Sequence, residues 1–328
     1  MALFDLPLDQ LQRYAPEVAE PADFAEFWAA TLATAAAKPV LIDVRPEPSD
    51  LALIECWDVT FAGFGGDPIR AWYSRPAGVS SELPAVVEFL GYGRGRGLPH
   101  ERPTYAAAGY AHLLMDSRGQ GGQYGNGGDT PDPGATAYGG PGPVTRGLLD
   151  PAEFYYRRLI TDAVRAVEAV RALPGVDPSR VAVAGNSQGG GLALAVSGLV
   201  GDLAAVLTTA PFLCHIQRAI EITDADPYAE VVRFLAVHRE AEDVVRRTLS
   251  YVDGVSFARR AVAPAQFGVG LRDTVCPPST VFAAANQYAG EHEIHVYPFN
   301  HHEGGEAVHV RRQLRWLRRR FFGAGSGF

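Results

Sequence analysis

Cysteine and lysine are scarce in this sequence of 328 residues. The three cysteines, Cys56, Cys214 and Cys276, lie far apart with no paired spacing, which argues against both a disulfide framework and a cysteine-based zinc site. Lys38 is the only lysine, and we attribute this bias toward arginine to the source genome. The 29 basic residues against 37 acidic ones leave a net charge of −8, the wrong sign for a protein that binds nucleic-acid phosphates.

Long apolar stretches are also absent. Asp202 interrupts the best candidate for an uncharged segment of membrane-spanning length. The first residues contain neither the basic region nor the apolar region of a secretory signal. At the same time, 47% of the residues are hydrophobic and only 20% are charged, which is typical of a globular chain. We therefore expect a soluble, cytoplasmic protein with no nucleic-acid partner and no membrane partner.

The hydrophobic residues that are present follow the periods of strands and helices. Residues 53–61 and 69–74 alternate on either side of a turn, which predicts an antiparallel hairpin. Further along, predicted strands cover 84–90, 111–115, 181–184, 204–209, 265–270 and 293–297, and predicted helices cover 154–173, 189–199, 281–288 and 306–321. Strands that alternate with helices indicate βαβ units. We therefore predict an α/β fold with a mostly parallel sheet flanked by helices.

Two segments lie outside this alternation. Residues 1–50 are interpreted as an N-terminal extension, with a helix over 21–37 whose aromatic side chains need cover from the core or from a neighbouring subunit. Residues 211–263 are helical in pattern, rich in polar residues and too long for an ordinary connection. We interpret them as a helical cap insertion over the carboxyl edge of the sheet. The whole chain, 1–328, is interpreted as a single domain.

A candidate nucleophile lies between a predicted strand and a predicted helix. Gly185-Asn186-Ser187-Gln188-Gly189 fits the pattern G-x-S-x-G, in which a strained turn projects the serine above the sheet. The N–H of Gln188 then lies at the start of a helix, where it can stabilise an oxyanion. We predict Ser187 as the nucleophile. The alternative is a glycine-rich turn with an unused serine.

A serine nucleophile needs a histidine base and a carboxylate that orients it. In an α/β-hydrolase these follow the serine in the order Asp or Glu, then His, each after a later strand. Asp273 follows the strand at 265–270, and His302 follows the strand at 293–297, so both fit the order. Glu303 is adjacent to His302 and is predicted to point away from its ring. The alternatives are a loop aspartate and a solvated loop histidine.

Two glycine-rich loops follow earlier strands. The first, 91–97, is predicted to supply the second oxyanion donor through the N–H of Tyr92. It contains no G-x-G-x-x-G pattern and no Walker lysine, so a phosphate site is not indicated. The second loop contains Arg118, Gly119 and Gln120, which we interpret as a structural bracket for the active-site loops rather than a solvated turn. No metal and no organic cofactor is predicted.

Three of these segments together resemble the signatures of carbohydrate esterase family 7, the acetyl xylan esterases and cephalosporin C deacetylases. They are Arg118-Gly-Gln-Gly-Gly122, Gly185-Asn-Ser-Gln-Gly-Gly190 and His302-Glu303. The resemblance covers about 21–320. It implies an α/β-hydrolase fold, the triad Ser187, Asp273 and His302, oxyanion N–H groups from Tyr92 and Gln188, and a hexamer built from dimers. His301 departs from the family, which usually has glycine or asparagine there.

The implied activity is that of a serine carboxylesterase. It would remove acetyl groups from acetylated sugars such as xylo-oligosaccharides, and from cephalosporin C-type compounds. Two other readings of the residues stay open within enzymes, a general short-chain carboxylesterase and a serine peptidase of the same fold. Outside enzymes, the chain would be an inactive hydrolase-fold binding scaffold.

Overall fold

A nine-stranded sheet runs through the computed structural model of the chain, which describes residues 4–134, 140 and 142–323. The first three residues of the predicted extension and the last five residues of the chain therefore lie outside the described residues. The strands are β1 (Leu41–Glu47), β2 (Ile54–Ala62), β3 (Pro68–Pro76), β4 (Leu83–Phe89), β5 (Ala111–Met115), β6 (Val176–Asn186), β7 (Ala205–Thr209), β8 (Ala265–Gly270) and β9 (His292–Tyr297). Their order across the sheet is β1-β2-β3-β5-β4-β6-β7-β8-β9.

The sheet has an antiparallel part and a parallel part. β1, β2, β3 and β5 pair antiparallel in that order, whereas β5, β4, β6, β7, β8 and β9 form a continuous parallel series. Strands β5, β7 and β8 are buried along their whole length, as expected for apolar runs covered on both faces. The predicted α/β class with a mostly parallel sheet is confirmed.

Helices flank the sheet. They are α1 (Leu8–Leu11), α2 (Phe24–Ala36), α3 (Thr104–Ala107), α4 (Tyr155–Ala172), α5 (Gln188–Leu199), α6 (Ile216–Ile222), α7 (Tyr228–Val237), α8 (Glu242–Ser250), α9 (Gly254–Ala258), α10 (Pro278–Ala285) and α11 (Glu306–Phe322). Helices α6 to α9 fall within 211–263, the segment interpreted as an insertion. Across the part of the chain that the structure describes, no helix combines the length and apolar content needed to cross a bilayer.

The N-terminal segment packs onto the rest of the chain. Phe24 and Trp28 of α2 are buried, and Phe24 lies 5.3 Å from Phe257 between ring centroids. The indole N–H of Trp28 donates to the carbonyl oxygen of Tyr251 over 2.9 Å. The cover that these aromatic side chains require is therefore supplied within the chain. The same N-terminal segment contains β1, an edge strand that the sequence pattern did not predict.

The parallel strands bring four loops to one edge of the sheet. Tyr92 follows β4, Ser187 follows β6, Asp273 follows β8 and His302 follows β9, and these strands run in the same direction. In open α/β sheets, ligands bind at this carboxyl edge. The candidate residues from four distant parts of the sequence therefore meet at the place where the fold provides a cleft.

Candidate active site

Ser187 occupies a strained turn between β6 and α5. Its backbone has φ 59° and ψ −121°, a conformation that residues with a side chain rarely adopt. Glycine is required at both flanking positions because a side chain there would clash with neighbouring backbone. A Cβ on Gly185 would lie 2.2 Å from the backbone of Gly189, and a Cβ on Gly189 would lie 2.0 Å from the carbonyl oxygen of Phe89. The turn thus has the form that the sequence pattern predicts, with the serine at its tip.

Asp273 and His302 form a hydrogen-bonded pair beside this turn. Nδ1 of His302 lies 2.8 Å from Oδ2 of Asp273. The other oxygen, Oδ1, accepts the backbone N–H groups of Val275 and Cys276 over 2.8 Å and 2.9 Å, and the carboxylate is almost fully buried. A neutral imidazole that donates from Nδ1 presents Nε2 as an acceptor. The buried carboxylate therefore fixes both the orientation of the ring and its tautomer.

Ser187 and His302 line the same cleft, which has a volume of about 630 Å³. Within the residues that the structure describes, no hydrogen bond joins the serine hydroxyl to the imidazole. A neighbouring group is the thiol of Cys276. Burial raises the pKa of that thiol, and the charge of Asp273 adds to the rise. Catalytic hydrogen bonds are often long or misaligned before substrate binds. The position of Ser187 and His302 in one cleft is therefore the observation that bears on their roles.

The two predicted oxyanion donors flank the serine. Tyr92 lies in a turn closed by the hydrogen bond from the N–H of Arg94 to the carbonyl oxygen of Gly91, over 3.2 Å. Gln188 is the first residue of α5, where a backbone N–H has no acceptor within its own helix. Among the described residues, neither of these N–H groups has a hydrogen-bond acceptor. Both N–H groups are thus unpaired within the described part of the chain, as an oxyanion donor requires.

Gln120 connects the two donor loops. Its Oε1 accepts the N–H of Gly93 over 2.6 Å, and its Nε2 donates to Oε1 of Gln188 over 2.8 Å. The Gln188 side chain also accepts from the hydroxyl of Tyr156 over 2.9 Å. These contacts place Gln120 behind the cleft, where it fixes the positions of the two donor loops relative to each other.

Arg118 is fully buried and does not line the cleft. Its guanidinium makes two parallel hydrogen bonds to Asp162 on α4, of 2.6 Å and 2.7 Å, and one of 2.9 Å to Asp67 between β2 and β3. Its carbonyl oxygen accepts the hydroxyl of Tyr155 over 2.6 Å. Gly119 has φ +62°, in the left-handed region that favours glycine. These contacts are those of a structural bracket.

The neighbours of His302 have other roles. His301 is exposed, and its Nδ1 lies 2.8 Å from the carbonyl oxygen of Arg272, away from the carboxylate of Asp273. The Glu303 carboxylate accepts the amide of Asn300 over 2.8 Å and the N–H of His301 over 3.1 Å. The structure therefore pairs only the second histidine with the buried aspartate, and Glu303 stabilises the loop.

The sequence reasoning missed Glu230 on α7. Its Oε2 accepts the hydroxyl of Tyr92 over 2.6 Å, and both residues line the cleft. Burial raises the pKa of Glu230, and the hydrogen bond from Tyr92 opposes the rise. No motif or spacing distinguishes this carboxylate from the other acidic residues of 211–263. Only the way that the helices fold over the cleft identifies it.

Comparisons with known proteins identify the family of the chain. Residues 1–320 match the family model described as acetyl xylan esterase (AXE1). The acetyl xylan esterase from Paenibacillus sp. R4 is 40% identical, with a TM-score of 0.89 over 95% of this chain and 99% of that one. Acetyl xylan esterase 1 from Thermoanaerobacterium sp. JW/SL YS485 is 32% identical, with a TM-score of 0.88 over 97% and 100%.

More distant relatives extend the comparison. The acetyl esterase Axe7A from Xylanibacter ruminicola is 27% identical over 306 residues, which is 93% of this chain and 68% of that protein. An acylaminoacyl peptidase from Pyrococcus horikoshii is 15% identical, with a TM-score of 0.57 over 85% of this chain and 44% of that one, and shares the fold alone. The chain belongs to the acetyl xylan esterase (AXE1) family of carboxylic ester hydrolases, with the α/β-hydrolase fold.

Proposed function

We propose that this protein removes acetyl groups from acetylated xylo-oligosaccharides, with Ser187 as nucleophile, His302 as general base and Asp273 as the orienting carboxylate. The observation that carries the proposal is the 2.8 Å hydrogen bond between His302 and the buried Asp273, at the cleft that also contains the strained Ser187 turn. The two closely similar proteins of known structure are both acetyl xylan esterases, which supports the substrate class.

The chemistry follows from the positions of these groups. The Ser187 hydroxyl attacks the acetyl carbonyl carbon as Nε2 of His302 takes its proton, and Asp273 stabilises the imidazolium that forms. The oxyanion accepts hydrogen bonds from the N–H groups of Tyr92 and Gln188, which have no other acceptor in the described part of the chain. His302 then protonates the departing sugar oxygen. Water, activated by the same histidine, attacks the acetyl-serine ester and releases acetate.

Deacetylation of cephalosporin C-type compounds is part of the proposal. The bond cleaved is again an acetyl ester, and only the alcohol differs. A cleft of about 630 Å³ is within the range that accommodates a drug-sized ligand. The family resemblance of 118–122, 185–190 and 302–303 supports this second substrate, and the acyl chemistry at Ser187 would be the same.

A panel of substrates tests the proposal. Acetate release from acetylated xylotriose and cephalosporin C is compared, as kcat/KM, with hydrolysis of p-nitrophenyl octanoate and of a peptide anilide. We expect the two acetyl esters to be the best substrates, and Ser187→Ala to abolish all four activities. Preference for octanoate would indicate a general carboxylesterase, and cleavage of the anilide would indicate a peptidase. Failure of a fluorophosphonate probe to label Ser187 would indicate a binding scaffold.

A hexameric assembly is also proposed, supported by the family resemblance alone. The aromatic residues Phe24 and Trp28 do not add support, because Phe257 and Tyr251 cover them within the chain. Sedimentation velocity at micromolar concentration tests the assembly. A monomer would overturn it and would leave the proposed catalytic residues unaffected.

A further inference from the structure

The cleft has a lining segment that the proposed chemistry does not use. Arg94, Gln123 and Tyr124 line it together with Ser187 and His302. Tyr124 is 57% exposed, which is high for a large aromatic residue in a cleft wall. The guanidinium carbon of Arg94 lies 5.7 Å from the centre of the Tyr124 ring, within the range of a cation–π contact. The two side chains therefore form one surface.

This surface is attached to the loop that carries the proposed oxyanion donor. The backbone N–H groups of Gln123 and Tyr124 donate to the carbonyl oxygen of Gly93 over 3.3 Å and 3.4 Å. Gly93 directly follows Tyr92, and its own N–H is held by Gln120 over 2.6 Å. These backbone contacts therefore hold Tyr124 against the loop of Tyr92, in the cleft that Ser187 also lines. The Tyr124 side chain can therefore contact the part of a substrate that lies next to the ester.

The other charged groups of the cleft already have partners. Hydrogen bonds or ion pairs join Glu88 to Arg102 and His112, Asp226 to Arg233, Glu230 to Tyr92, and Glu303 to Asn300. Arg94, by contrast, has no carboxylate partner in the ranges 4–134, 140 and 142–323. The Tyr124 hydroxyl likewise has no hydrogen-bond partner in those ranges. Both polar groups are available to a ligand.

We propose that Tyr124 and Arg94 form a subsite for the sugar ring of the alcohol that leaves, an inference that rests on the proposed function. The face of an aromatic ring carries negative charge density, which attracts the polarised C–H groups on the face of a pyranose. Contact also removes apolar surface of both rings from water. The guanidinium of Arg94 and the Tyr124 hydroxyl would hydrogen-bond to the sugar hydroxyls. An acetyl group alone is too small to fill a cleft of about 630 Å³.

Inhibition by the free leaving group tests this subsite without requiring a sugar ester to react. Hydrolysis of methyl acetate is followed by pH-stat at increasing concentrations of xylotriose. We expect the inhibition constant to rise about tenfold or more in Tyr124→Leu, and to stay within about threefold of the native value in Tyr124→Phe, because phenylalanine retains the ring face. Arg94→Ala should raise it as well. Arg315→Ala, an exposed arginine on α11, is the matched control.

Each outcome decides the proposal. Xylotriose that does not inhibit the native protein, or that inhibits Tyr124→Leu equally well, overturns the subsite. Loss of inhibition in Tyr124→Phe as large as that in Tyr124→Leu overturns the ring-face contact. Acetate release from acetylated xylotriose by the native protein is measured in parallel. If that release is absent while the Tyr124 effect remains, the proposed function fails and the sugar subsite stands.

Discussion

The hydroxyl of Tyr92 donates a 2.6 Å hydrogen bond to Oε2 of Glu230 and so connects the loop after β4 to helix α7. The N–H of Val144 donates to the same hydroxyl oxygen over 3.2 Å. Burial, followed by the hydrogen bond to Glu230, strongly raises the pKa of the Tyr92 phenol, so the phenol keeps its proton at neutral pH. The side chain of Tyr92 is therefore held by two partners, and this restricts the direction of its backbone N–H.

We predict that Glu230 positions the oxyanion donor. Glu230→Ala should lower kcat for acetyl esters about tenfold with a smaller change in KM, because one hydrogen bond to a charged group contributes about 1.5–3 kcal/mol. Glu230→Gln retains an acceptor for the phenol and should recover most of the rate. Steady-state kinetics on the two variants check this.

Two further observations bear on Glu230. Tyr92→Phe removes the same hydrogen bond from the other side. The increase in activation free energy in the double variant, Tyr92→Phe with Glu230→Ala, should therefore be smaller than the sum of the increases in the two single variants. Equal losses in Glu230→Ala and Glu230→Gln, or an effect confined to KM, would contradict the positioning role.

Ser187→Ala should lower kcat by at least about 10³-fold, because the remaining groups cannot supply a nucleophile. The side chain lost is small and lies at the tip of the turn, and alanine retains the Cβ and the backbone strain. The free energy of unfolding should therefore change by less than about 1 kcal/mol. Acetate release and urea denaturation measure the two effects. A variant that retains a tenth of the native turnover would remove Ser187 from the mechanism.

The sequence predicted most of the sheet because its strands are continuous apolar runs. The predicted bounds of β5 (Ala111–Met115) and β8 (Ala265–Gly270) agree with the structure. β1 was missed because it is a half-exposed edge strand, and its proline and charged residues obscure the two-residue alternation. Its pairing with β2 depends on long-range hydrogen bonds rather than on a local pattern. Local periodicity therefore predicted the buried strands better than the edge.

The candidate site was predictable where residues follow strand ends. Ser187, Asp273 and His302 each occupy such a position, and parallel strands bring their ends to the same edge. Glu230 could not be found in this way, since it lies 138 residues from Tyr92 in sequence and on a helix with no motif. Side-chain contacts made by the helices of 211–263 depend on how that segment packs. That information is distributed over many residues and has no short signature.

His309 on α11 should make stability depend on pH. Burial, followed by the charges of His295 and Arg312, lowers its pKa to about 4. An unfolded histidine has a pKa of about 6.5, so between these values the unfolded chain binds a proton that the folded chain does not. The contribution of neutral His309 to the free energy of unfolding is fully present above pH 6.5, and it is lost as pH falls toward 4. The free energy of unfolding differs by roughly 3 kcal/mol between these two limits.

His309→Gln should remove this dependence and retain an acceptor for Gln313, whose amide lies 3.1 Å from Nε2 of His309. Urea denaturation at pH 7 and pH 4.5 measures it. The loss of stability between the two pH values should be smaller in the variant than in the native protein. If the free energy of unfolding falls equally in the variant and in the native protein between pH 7 and pH 4.5, His309 does not titrate in this way.

The adjacent histidines should differ sharply in function. Nδ1 of His302 lies 2.8 Å from the buried Asp273, whereas Nδ1 of His301 lies 2.8 Å from the carbonyl oxygen of Arg272 on an exposed part of the loop. His302→Ala should therefore lose activity about as severely as Ser187→Ala, because residues that act as a unit have losses that do not add. His301→Ala should keep most of its turnover, with at most a change in KM. Acetate release from both variants is measured under identical conditions. An inactive His301→Ala beside an active His302→Ala would assign the base to the other ring.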